Sequence, residues 1–166
     1  MNGIFIVMLR LGILATLLGG LFGQIVVIPT TAADEVELFP PLEPFAPFYV
    51  TTAILGIVCI QVALIATWML LNMIDRQALF TQRAFLWVDT IIGASVAATL
   101  LSLGIIGHLM FAGVPEPPGQ DMAALSALGA AMVCTWVGAA FAMLVTILRG
   151  LLRKAADLQA EMAEVV

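Results

Sequence analysis

The chain has 166 residues, 63% of them hydrophobic and only 10% charged, against about 45–50% apolar and about 25% charged in an ordinary soluble domain. A water-soluble fold of this size has nowhere to hide so much apolar surface. At roughly 20 residues per bilayer crossing, the length admits four spans joined by short loops and leaves no room for a separate soluble domain. The formal net charge of -5 conceals a sorting of charges by side, and no basic patch of the kind that binds nucleic acid is present.

The first apolar stretch runs over about residues 4–28, carries Arg10 near its start and is closed by Pro29. It shares the outline of a signal peptide, with Arg10 as the basic region and Thr31-Ala32-Ala33 as a cleavage site, but its apolar run is longer than a signal core and reads as a retained span. Next comes a loop over 29–47, rich in acids, prolines and phenylalanines. Its composition predicts an extended segment lying on the membrane surface, either a lid with interfacial aromatics or a docking surface.

The second stretch, about 48–74, and the fourth, about 122–148, are long and contain no charged residue. The third, about 84–112, has Asp89 near one end and His108 near the other, around an uncharged core from Thr90 to Gly107. Arg76 and Arg83 fall in the connecting segment 75–83, and Arg149, Arg153 and Lys154 open the tail 149–166. The loops 29–47 and 113–121 hold acids and no Lys or Arg. The positive-inside rule therefore predicts an all-helical membrane four-helix bundle, with both termini and the middle loop in the cytoplasm.

Small residues recur every fourth position in the fourth span: Ser126, Ala130, Cys134, Gly138, Ala142, Thr146 and Gly150, with Ala123, Ala127, Ala131, Thr135 and Ala139 beside them. The first span repeats the device with Gly12, Thr16 and Gly20. Lipid gives helices no hydrophobic reason to associate, so strips that let backbones approach are the usual means of helix packing, within one chain or between copies. Cys59 and Cys134 have neither metal nor disulfide-framework spacing and read as small buried residues.

Ionisable groups within a span are costly and call for an explanation. Arg10 and Asp89 fall at matching inferred depths, which predicts an ion pair between spans one and three; otherwise Arg10 snorkels to the surface and Asp89 pairs with Arg83 or Arg76. His108 is expected to meet interfacial water, Glu116 or Asp121. Gln24 and Gln61 are amides suited to bonding across helices. No nucleophile with base and acid, no paired carboxylates, no metal-ligand cluster and no phosphate-cradling glycine loop appears. The expectation is a protein without cofactor or metal that is not an enzyme. After the fourth span, Leu148, Leu151, Ala155, Leu158, Met162 and Val165 follow a three-and-four spacing, so the helix is expected to continue beyond the membrane with one apolar seam.

The segment Ala78-Leu79-Phe80-Thr81-Gln82-Arg83-Ala84-Phe85-Leu86-Trp87-Val88-Asp89 and the ending Leu148-Arg149-Gly150-Leu151-Leu152-Arg153-Lys154-Ala155-Ala156-Asp157-Leu158-Gln159 resemble a bacterial family of four-span proteins, domain of unknown function 2975, the YoaS-like group, in an actinobacterial version. The resemblance brings no catalytic residues. It implies a place in the bacterial inner membrane and a protein partner, since such proteins are often encoded beside a small cytoplasmic helix-turn-helix regulator. The expected docking face comprises Phe80, Thr81 and Arg83 of the middle loop with Leu151, Leu158 and Met162 of the tail. Two other roles stay open: an accessory subunit packed against a larger membrane complex through the small-residue strips, and, with less support from the sequence, a small transporter or channel.

Overall fold

The computed structural model describes residues 3–75, 82–115, 119 and 122–164, and all regular structure among them is helical. The elements are α1 (Gly3–Phe22), a π-helical turn (Gly23–Val27), α2 (Ile28–Leu38), a short 3-10 turn (Pro40–Leu42), α3 (Ala46–Asp75), α4 (Gln82–Phe111) and α5 (Ala123–Glu164). Among the described residues, four helical stretches are long and apolar enough to cross a membrane: Ile4–Leu38, Ala46–Met73, Arg83–Phe111 and Ala123–Leu158.

The first of these departs from the sequence expectation. Pro29 does not close the helix, and residues 30–38 are helical where an extended segment was expected. A proline within a helix lacks the N–H that would bind the carbonyl four residues back, and its ring presses on that carbonyl. Here the turn just before it is widened, with the N–H of Ile28 reaching back to the carbonyl of Gly23. Such π-turns shift the carbonyl ladder by one place and so absorb the misfit. Thr30 donates to the carbonyls of Val26 and Val27 at 2.7 and 3.1 Å, and Thr31 to those of Val27 and Ile28 at 2.8 and 3.1 Å. These are the usual bonds of a helical threonine to the carbonyls one turn back. The acids Asp34, Glu35 and Glu37 therefore ride on a helix, and the chain turns back only at Phe39, before Pro40–Leu42.

Packing follows chain order. The α3–α4 and α4–α5 interfaces are extensive, whereas α1 meets α3 more lightly and has no comparable interface with α4 or α5. Half of the buried hydrophobic positions are alanines, Ala66, Ala84, Ala131 and Ala142, beside Ile13, Leu71, Val88 and Ile91. Ser95 and Thr52 are also buried, and each hydroxyl donates to the carbonyl one turn back in its own helix, at 2.8 and 2.7 Å. Their polarity is thus satisfied without a cross-helix partner. Large apolar side chains point outward instead, as with Trp136 at 74% exposure, Leu100 and Val133, which is the arrangement of helices solvated by lipid.

Candidate functional site

Polar side chains gather at the two ends of the bundle. One end brings together the starts of α1 and α4 with the last turns of α3 and the charged stretch of α5, and carries basic residues; the other holds the end of α4 against the start of α3.

At the basic end, Asp89 of α4 faces Arg149 of α5. Arg149 Nη2 donates to Asp89 Oδ2 at 2.8 Å, and Nε lies 2.6 Å from Oδ1. Only the Nη2 contact has hydrogen-bond geometry; Nε is close enough for charge attraction but makes no hydrogen bond, so the pair is one charge-assisted hydrogen bond within an ion pair. With the side chains 38% and 43% exposed, solvent screens it in part. Arg10 of α1 donates from Nη2 to Asn72 Oδ1 at 2.9 Å and holds its guanidinium carbon 5.9 Å from the centre of the Trp68 ring, within cation–π range. Arg10 and Asp89 therefore have different partners from those the sequence suggested. Equal depth placed them together on paper, but α3 packs between α1 and α4, so lateral order decides the pairing. A signal for Arg149 existed: Asp89 and Arg149 each border an uncharged run, Thr90–Gly107 and Met122–Leu148, on helices adjacent in the chain.

Next to this pair lies a cleft of about 370 Å³ lined by Phe85, Leu86 and Asp89 of α4 and Arg149, Arg153, Ala156 and Asp157 of α5. Arg83 is exposed nearby in sequence, and Leu151 and Leu158 are 58% and 61% exposed. Phe80 and Thr81 lie outside the described residues, as does the side chain of Met162.

At the other end, His108 is enclosed by aromatic rings. Its Nδ1 lies 3.0 Å from Tyr49 Oη, Phe48 stacks on it with centroids 4.2 Å apart at 19°, and Phe45 and Tyr49 approach edge-on. The sequence pointed to Glu116 or Asp121 as partners, and both are outside the described residues. A smaller cavity of about 110 Å³ lies beside this cluster, between Glu35 and Val36 of α2 and Phe45, Ala46 and Tyr49.

Between the ends, Gln24 and Gln61 pair reciprocally across the α1–α3 seam, each amide nitrogen 3.3 Å from the other's oxygen, and Gln24 also donates to the carbonyl of Ile54 at 3.3 Å. A Cβ on Gly20 would sit 3.0 Å from Gln61 Nε2 and 3.3 Å from Ile57 Cγ2, so α1 approaches α3 closely at Gly20. Gly12 has open space, and Thr16 donates to the carbonyl of Gly12 within its own helix. In α5 the strip divides. Gly138 abuts Thr99 of α4, since an added Cβ would lie 2.5 Å from Thr99 Oγ1, and Ala142 is buried. Ser126, Ala130 and Cys134 are exposed. Among the described residues, no three of His, Cys, Asp and Glu stand close enough together to hold a metal ion.

The family described as Protein of unknown function (DUF2975) matches residues 30–166, most of the chain. The chain belongs to this family. The DUF2975 match takes in α3, α4, α5 and most of α2, and with them the cleft, the Asp89–Arg149 pair and the His108 cluster. Neither the curated proteins nor the solved structures gave a match. The DUF2975 assignment and the four apolar helices make this a multi-pass membrane protein of a family whose function is not established.

Proposed function

We propose that this protein is a non-enzymatic anchor in the bacterial inner membrane, its termini cytoplasmic, that docks a small helix-turn-helix regulator at the membrane surface. The observation that carries the proposal is the length of α5, which runs unbroken for 42 residues. At 1.5 Å per residue this is about 63 Å, roughly twice the thickness of the hydrocarbon layer. Its far portion carries Leu151 and Leu158, both exposed, spaced seven residues apart on one stripe and flanked by Arg153, Lys154 and Asp157. An apolar stripe on a charged helix suits a partner helix. The helix-turn-helix identity of the partner follows from the family resemblance.

The test is a truncation lacking residues 151–166, expressed with the regulator encoded beside it. Loss of the regulator from the membrane fraction, with the truncated chain still inserted, is the expected outcome. Undiminished recruitment would end this reading.

A second role is favoured by the exposed face of α5, where Ser126, Ala130 and Cys134 form a small-residue strip that α4 does not cover. This is the surface by which the chain would serve as an accessory subunit of a larger membrane complex, or pair with its own copy. The informative substitution is Ala130→Leu, because Gly138 and Ala142 face α4. Release of a membrane partner by Ala130→Leu, with tail-dependent recruitment unaffected, would favour this second role.

A further inference from the structure

Arg149, Arg153 and Asp157 follow one another at four-residue spacing on α5. They stand on one face of the helix, each about 6 Å further along its axis. All three line the 370 Å³ cleft, whose volume is within the ordinary range for a small-molecule site. Asp89 and Arg149 neutralise each other there. What the cleft offers a ligand is one cation, Arg153, and one turn beyond it one anion, Asp157. Neither is held in an ion pair among the described residues.

The surroundings limit what such a ligand is. Phe85 and Leu86 form the apolar side of the cleft, Leu86 being 65% exposed. Asp89 and Arg149 directly border the long uncharged runs of α4 and α5. The cleft is therefore set where hydrocarbon gives way to headgroups, with lipid-facing surface on one side and water on the other.

We propose that the cleft binds the head of a glycerophospholipid of the ethanolamine type, its phosphate on Arg153, its ammonium on Asp157 and its acyl chains against Phe85 and Leu86. Arginine meets phosphate with a fork of donors. A primary ammonium carries three N–H donors for a carboxylate, and the two-carbon link between phosphate and ammonium suits groups one helical turn apart. A choline head has no N–H to give Asp157. A glycerol head has no cation, so its net negative charge meets Asp157 unfavourably. The site stands or falls independently of whether a regulator docks on α5.

The experiment is native mass spectrometry of the full chain, released from micelles holding equal amounts of ethanolamine, choline and glycerol phospholipids with identical acyl chains. The expected result is one ethanolamine lipid retained, at about tenfold over each of the others, as one charge-assisted hydrogen bond provides. Arg153→Gln should lower retention of all three lipids by about tenfold. Asp157→Lys should transfer the preference to the glycerol lipid, a gain that a misfolded chain does not produce. Equal retention of the three lipids, or an unchanged preference in Asp157→Lys, would overturn the proposal. Displacement of the lipid by an equal concentration of soluble glycerophosphoethanolamine would overturn the lipid as ligand.

Discussion

The α1–α3 seam and the α4–α5 seam are both laid out with small residues and both carry polar bridges, but they use these parts differently. Against α4, helix α5 turns Gly138 and Ala142 inward so closely that Gly138 leaves no room for a Cβ beside Thr99, and Asp89–Arg149 closes one end of the seam. Against α3, only Gly20 among the glycines of α1 is in close contact, while Gly12 and Gly19 face open space, and the contact is carried by Arg10 on Asn72 and Trp68 and by the Gln24–Gln61 amides. The α4–α5 seam is thus held by packing, which is cooperative and unforgiving of volume. The α1 seam is held by separate polar bridges, each of modest worth in a bilayer. A small-residue strip marks a helix that is able to pack closely, and the neighbour determines which of its members are used.

This contrast is open to direct tests. The largest effect is expected from Gly138→Leu, which forces a side chain into the space of Thr99 and should cost about 3 kcal/mol, the upper part of the overpacking range. Gly12→Leu should stay within about 0.5 kcal/mol. Both are measurable by reversible unfolding in mixed micelles with increasing denaturing detergent. Equal costs at the two positions would mean that the seams do not differ. A double-mutant cycle of Asp89→Asn and Arg149→Gln should return a coupling of about 1 kcal/mol, reduced from that of a buried pair by partial exposure, and the coupling should weaken with salt. The smallest effect is expected from the cycle of Gln24→Leu with Gln61→Leu, at about 0.6 kcal/mol, typical of interhelical hydrogen bonds in membranes. A coupling larger than that of Asp89 with Arg149 would reverse the ranking of the two seams.

The sequence alone determined the class of the molecule, the number of its spans and their approximate positions. Those depend on sums over about twenty residues, which the cost of burying charge or bare backbone in hydrocarbon makes insensitive to detail. It also determined that α5 stays helical beyond its uncharged run, because the apolar spacing after Leu148 keeps helical period. What only the tertiary structure decided were matters of lateral order and of single backbone turns. Depth can be read along a chain, so Arg10 and Asp89 looked like partners; which helices are neighbours cannot, and α3 gave Asn72 to Arg10 while α5 gave Arg149 to Asp89. Composition equally favoured an extended segment after Pro29, yet one π-turn was enough to carry the helix through to Leu38. The physical reason is common to both: hydropathy is a property summed over many residues, whereas the pairing of a charge or the survival of a turn depends on one or two partners placed within about 3 Å.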